Sequence, residues 1–205
     1  ENYFFEFVEL EVAELVRTSL DVLVDAGAKL IPVSIPASLK AANSLTTLII
    51  STEAASIHQF WLQNKPEDYG NQTRARMNSG LTTAATRYVQ ARNLRAPLLA
   101  DFAEAVFDKV DLLHCPVMNT AVPTIKETDL LANPGFAEII GQMGHCTRPI
   151  NYLGLPSLTI PCGFTANGLP SAFQLVARPF DEATMLLVGH AYQNATDWHT
   201  RAPTL

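Results

Sequence analysis

Apolar residues along this chain switch between two periods, and the switches outline an α/β protein. Over 10–26, Val12, Leu15, Val16, Leu20, Leu23 and Val24 recur three and four residues apart, which predicts one face of a helix closed by Gly27. Residues 29–35 then alternate around Leu30, Ile31, Val33 and Ile35, predicting a strand that Pro36 ends. Helical spacing returns over 39–63 and again over 81–110, where Pro97 is expected to kink or split the helix. Between those two, residues 64–70 form a turn cluster. Residues 111–117 predict a short buried strand, 118–133 an irregular surface excursion, and 136–143 one more short helix. The chain closes with strands near 157–160 and 171–177 and a helix over 181–195, whose acidic start suits the helix dipole. Thr147 and Arg148 fall between the short helix and a strand entry at Pro149 and Ile150. Gly-Leu-Pro-Ser occurs at 154–157 and again at 168–171, which predicts two similar turns into adjacent strands.

Composition narrows the function classes. With 205 residues, 48% hydrophobic and 17% charged, the chain has the content of a folded domain rather than a disordered one. A net charge of −6 with scattered Lys and Arg gives no footprint for nucleic acid or for an anionic membrane surface. No apolar run reaches the roughly 18 to 20 residues of a membrane-spanning helix. Three cysteines, Cys115, Cys146 and Cys162, without C-x-x-C spacing argue against a disulfide framework or a structural zinc, and point to a reducing cytoplasm. The first seven residues hold four aromatics and no initiating Met, so the chain is expected to open inside a larger protein.

Candidate chemistry is sparse. His114-Cys115 and His145-Cys146 are sequence neighbours, which a strand points to opposite faces, so neither makes a local nucleophile–base pair. His58, His190 and His199 lack ligand-spaced partners, and no metal site is expected. Ser157 lies outside any G-x-S-x-G elbow and reads as a strand-entry residue. Phosphate-loop and dinucleotide patterns are absent, so no cofactor is implied. What remains is a set of polar or aromatic residues in apolar segments: Phe60 and Trp61 at a helix end, Arg95 beside the Pro97 break, and Thr147 with Arg148. Each is a candidate substrate-binding residue, lining a cleft whose other wall lies elsewhere. The plainer alternative for each is a core aromatic or a solvated, ion-paired arginine.

Several segments resemble the amidase signature family, in that family's order. They include residues 1–5, Pro66 to Gly70 followed by Arg74-Ala75-Arg76, residues 102–116, and above all 151–170 and 174–199. The resemblance implies that residues 1–205 are the C-terminal portion of a single amidase domain. Its fold class is then α/β: the C-terminal half of an α/β/α fold with a mixed sheet flanked by helices. The implied activity is hydrolysis of a linear carboxamide C–N bond by a Ser–Ser–Lys mechanism. No Gly/Ser-rich signature is found here and none of Lys29, Lys40, Lys65 or Lys109 lies in a matching motif, so no catalytic residue carries over.

In the branch that makes amidated tRNA, the resemblance places an acid near the position of Gly144. Here Gly144 and His145 stand there instead, which favours a stand-alone amidase. Arg95 matches a family arginine that lies near a substrate carboxylate. The implied partners are a small-molecule amide and the N-terminal half of the same protein, with a homodimer as a further partner, and neither nucleic acid nor membrane. Two other readings stay open: a non-catalytic scaffold or binding fragment, and an A-type component of a tRNA-dependent amidotransferase.

Overall fold

The computed structural model describes residues 2–202. Helix α1 (Leu10–Asp25) buries Val12, Val16, Ser19 and Leu23 along one stripe. Gly27, at φ +100°, ends it in a Schellman turn, with Ala28 N–H bonded to Leu23 C=O and Gly27 N–H to Val24 C=O. Helix α2 (Lys40–Asn64) is long and runs antiparallel to α3 (Asn71–Leu81) across the Pro66–Asp68 turn. The two helices touch closely because Gly80 has no side chain: a Cβ there would lie 2.0 Å from the Ser51 carbonyl oxygen.

The 81–110 region splits as Pro97 requires. Helix α4 (Ala85–Asn93) stops at Leu94 and α5 (Arg95–Phe102) restarts. Pro97 thereby falls in a first turn, where its missing N–H costs little. A π-helical turn, Ala103–Phe107, leads into strand β1 (Leu112–Pro116). Next come α6 (Phe136–Met143) and α7 (Arg148–Leu153). Strands β2 (Ser157–Phe164) and β3 (Pro170–Ala177) are followed by α8 (Glu182–Ala195).

The three strands pair antiparallel in the order β1-β3-β2. Alternation on the strands splits the core into two layers. Phe173, Leu175 and Ala177 of β3 with Ile160 and Cys162 of β2 pack under α1 and α8, against Val12, Val16, Met185 and Tyr192. Leu113, Cys115 and Val176 face the other way, onto Phe102, Val106, Ile150, Tyr152, Leu153 and the N-terminal Tyr3 and Phe4. Helices therefore cover both faces, and the α/β class holds. All pairing among the described residues is antiparallel, so a mixed sheet requires strands beyond these three. Pro161 is tolerated because β2 is an edge strand, bulged between Pro161 and Gly163.

Gln174, at 2% exposure, ties the layers together: its amide nitrogen donates to the Pro116 carbonyl (3.0 Å) and the Cys146 carbonyl (3.1 Å), and its oxygen accepts from Ser157 Oγ (2.9 Å).

Two expectations are corrected. Residues 29–35 form no strand. The alternating segment is extended, yet a strand is defined by a neighbour at about 4.8 Å, and here a cavity of about 880 Å³ separates it from β1. Leu30 and Ile31 are left exposed, and Ile35 is held instead by the side-chain amide of Asn2, which both donates to and accepts from its backbone. Arg148 to Leu153 is a short helix rather than a strand entry, with Pro149 in its first turn and Gly154 at φ +73° ending it. The repeated Gly-Leu-Pro-Ser has the common cause expected of it: Gly154 and Gly168 both take left-handed φ, +73° and +74°, before β2 and β3.

Candidate functional site

Helix α7 is tied to its neighbours by polar contacts at both ends. Thr46 of α2 places its hydroxyl 2.7 Å from the Ala42 carbonyl and 3.0 Å from the Arg148 carbonyl, which pins the start of α7 to α2. One turn before Thr46, Asn43 donates to the Tyr3 hydroxyl (2.6 Å), and its own side-chain oxygen is buried without a partner among the described residues. The Tyr3 hydroxyl lies 3.3 Å from the His145 carbonyl, and the two rings stack at 4.5 Å. Burial drives the Tyr3 hydroxyl pKa up, so it stays protonated and donates.

Arg148 is half-buried. Its Nη2 donates to the Ile140 carbonyl (2.9 Å) at the end of α6, and the guanidinium lies directly over Gly144. Burial first, then repulsion from Arg76, lowers its pKa. One turn further along α7, Tyr152 donates to the Ala91 carbonyl, and Arg95 lies 5.6 Å over its ring. The Nε of Arg95 is buried with no hydrogen-bond partner among the described residues.

Of the five candidate residues, Thr147, Arg148 and Arg95 share this α7 neighbourhood. Phe60 and Trp61 do not. They sit on the last turns of α2, 66% and 47% exposed, about 21 Å along the helix from Thr46. Their contacts are with each other and with His58, whose Nδ1 meets the Tyr69 hydroxyl at 2.9 Å. None of the five lines the 880 Å³ cavity, which is walled by 27–33 on one side and Leu112 to Cys115 on the other. Asn43 escaped the sequence reading, since an Asn inside a helix carries no local signal, and Arg76 stood there only as part of a family-like segment and not as a candidate site residue.

Nucleophiles are quiet here. Burial pushes the Cys146 thiol up to about 12 and that of Cys162 to about 11, and raises Cys115 as well. All three cysteines are free and buried. Ser19 Oγ donates to the Val16 carbonyl (2.7 Å) and lies 2.8 Å from His114 Nε2, so the imidazole is the donor and leaves the serine unactivated. Among the described residues no group of three or more His, Cys, Asp or Glu could hold a metal ion.

The family model described as Amidase matches residues 2–186. The chain belongs to the amidase signature family. A glutamyl-tRNA(Gln) amidotransferase subunit from Chloroflexus aggregans, of the A type, is 35% identical over 226 residues, covering all of this chain and 45% of that protein. A Pseudomonas putida amidase is 34% identical over 205 residues, covering all of this chain and 43% of the relative. The chain thus spans a little under half the length of these curated relatives. Among solved structures, a crystal structure of an amidase superposes with a TM-score of 0.79 at 27% identity, over 94% of this chain and 43% of that one. A 6-aminohexanoate cyclic dimer hydrolase in complex with substrate superposes equally well (0.79) at 20% identity, over 96% of this chain and 44% of that one, which speaks for the fold alone. Within this amidase-family fold, the buried side-chain atoms without a hydrogen-bond partner among the described residues are Asn43 Oδ1, Arg95 Nε and Asn119 Oδ1.

Proposed function

We propose that the intact protein hydrolyses a linear carboxamide through a serine acyl-enzyme, with nucleophile and base supplied by chain beyond these 205 residues. The observation that carries this reading is a mismatch. Amidase-family sequence runs along almost the whole chain, yet neither serine described above is set up as a nucleophile: Ser157 is bonded to Gln174, and Ser19, although 2.8 Å from His114 Nε2, gives its proton to the Val16 carbonyl. The 880 Å³ cavity along β1 is the seat we assign to the rest of the protein. The free edge of β1 and the exposed Leu30 and Ile31 suit an added strand better than water.

In the reaction, the serine hydroxyl adds to the amide carbonyl while its proton passes to the base. The C–N bond breaks as the leaving nitrogen takes that proton, and water then cleaves the acyl-enzyme to the acid. This chain contributes a pocket wall centred on Thr147, Arg148 and Arg95. The three free thiols suit a cytoplasmic setting.

A second reading, an A-type component of a tRNA-dependent amidotransferase, draws on the 35% identity to a relative of that kind. Labelling of the intact protein with a fluorophosphonate, together with a panel of amides, tests the first. A labelled serine outside residues 1–205 and release of amine or ammonia are expected. Absence of both labelling and turnover refutes hydrolysis and leaves a scaffold, whereas turnover that needs copurifying subunits and tRNA supports the second reading.

A further inference from the structure

The tip of the β2–β3 hairpin carries chemistry of its own. Asn167-Gly168 is the one Asn-Gly dipeptide in the chain, and every other asparagine precedes a residue that bears a side chain. Both residues are exposed. Gly168 takes φ +74°, and the place where its Cβ would stand is open, with no heavy atom beyond its chain neighbours within 4 Å. Turn geometry is the plainer reason for the pair, since Asn-Gly suits hairpin connections and glycine accepts left-handed backbone without strain. The same missing side chain leaves the Gly168 nitrogen sterically free to reach the carboxamide carbon of Asn167.

Three contacts hold the tip. Gly168 N–H donates to the Thr165 carbonyl (2.8 Å) and Thr165 N–H to the Leu169 carbonyl (2.8 Å). Ala166 N–H donates to the carboxylate of Glu11, in the first turn of α1. The first contact governs the reaction, because a nitrogen whose proton is bonded to Thr165 attacks only when the turn opens. Exposed hairpin tips lie at the low end of local opening energies. The contact with Glu11 governs the consequence. Ala166 adjoins Asn167, so a negative charge at 167 arises next to the residue that a carboxylate already holds. Arg201, which lies over Phe164 on the same hairpin, is taken up by Asp197 at 2.9 Å.

We propose that Asn167 is a site of spontaneous hydrolytic deamidation, and that the carboxylate formed there loosens the hold of Glu11 on the hairpin. Hydroxide takes the Gly168 amide proton, and the nitrogen adds to Asn167 Cγ. The Cγ–Nδ2 bond breaks and ammonia leaves with a proton from water, which closes a cyclic succinimide. Water then opens the ring. Breaking the bond from the ring nitrogen to Cγ gives aspartate, and breaking its bond to the main-chain carbonyl carbon gives isoaspartate. One water is consumed and one ammonium released for each carboxylate formed. Isoaspartate also lengthens the main chain by a carbon ahead of Gly168, so the Thr165–Gly168 bond cannot re-form unchanged. The proposal is independent of the amide-hydrolase reading.

The test ages the intact protein at neutral and at alkaline pH. The proteolytic peptide that holds Asn167 is followed by mass spectrometry and by isoaspartyl methyltransferase labelling. Isoaspartate and the mass gain of amide-to-acid conversion are expected at 167 before any other asparagine, faster at alkaline pH, and absent from Asn167→Gln. Conversion that begins at another asparagine, or none at 167, overturns the proposal. The charge effect is read from Tm in Asn167→Asp, Glu11→Gln and the double variant, since Glu11→Gln keeps an acceptor for the Ala166 N–H. Asn167→Asp is expected to lower Tm by about 1–2 °C, the scale of an exposed like-charge pair. In the Glu11→Gln background the loss is expected to be clearly smaller. An equal loss in both backgrounds, or no loss in either, overturns the role given to Glu11.

Discussion

Acid is expected to weaken this fold through one imidazole, that of His114. The ring sits on β1 under α1, stacked on Phe173 with centroids 4.6 Å apart, and its Nε2 lies 2.8 Å from Ser19 Oγ. Because Ser19 gives its own proton to the Val16 carbonyl, the neutral Nε2–H form of the imidazole satisfies this contact. Burial is the main cause that pulls its pKa from 6.5 down to about 4. A base with a depressed folded pKa binds its proton more readily when unfolded. Its contribution to stability is therefore complete above pH 6.5, fades as pH falls through the window from 6.5 to 4, and is gone below that.

The full shift corresponds to about 3 kcal/mol, and between pH 7.5 and pH 5 the loss amounts to about 2 kcal/mol. Carboxylates elsewhere also titrate at low pH, so the informative quantity is a difference. Urea unfolding of the intact protein at those two pH values, for wild type and His114→Gln, isolates it. Wild type should lose about 2 kcal/mol more than the variant over the interval. The ring protons of His114, followed by NMR, should titrate near pH 4. Equal losses in the two proteins, or an NMR midpoint near 6.5, would refute the burial argument.

Three further substitutions probe the packing around the sheet and α2. Gln174→Met keeps the volume but withdraws donors from the Pro116 and Cys146 carbonyls; a cost of about 2–5 kcal/mol is expected in chemical denaturation, against under about 1 kcal/mol for Ser157→Ala, whose hydroxyl is near solvent. A Gln174→Met cost no larger than the serine's would show that the buried carbonyls do not depend on it. Gly80→Ala forces a Cβ to 2.0 Å from the Ser51 carbonyl oxygen. The two helices must part, and a loss of about 2 kcal/mol or more is expected, with faster amide exchange in 71–81; an unchanged Tm would mean that the contact yields easily.

Much of the layer structure was legible because it depends on period alone. The stripe Val12, Val16, Ser19, Leu23 repeats at helical spacing, and the alternation through Phe173, Leu175 and Ala177 can face only one way. Gly27, Gly154 and Gly168 announced their turns because few other residues accept left-handed backbone without strain. The candidate site was legible only in part. Arg95, Thr147 and Arg148 stand out as polar residues at the breaks beside Pro97 and Pro149; Thr147 and Arg148 lie at the start of α7, and Arg95 lies over the Tyr152 ring one turn along it. Phe60 and Trp61 drew attention by the same kind of oddity, yet they point outward at the far end of a 25-residue helix. Distance along a helix is readable from sequence, but not which partner a given turn packs against.

Sequence by itself determined α1, α2, α6 and α8, the three strands, the break at Pro97 and membership of the amidase signature family, but not α3 or α7. These depend on neighbours within a few residues, or on an order of segments that a chain carries wherever it folds. Tertiary structure decided three other things. Residues 29–35 have strand-like alternation but are no strand, because pairing needs a neighbour and β1 stands across a cavity. Gly144 is a glycine that makes room, as its missing side chain is where the Arg148 guanidinium lies. Arg76 and Arg148, 72 positions apart in the chain, repel each other only when α3 and α7 both pack on α2. Charge repulsion between residues so distant in sequence has no local signature, and it exists only once the helices are in place.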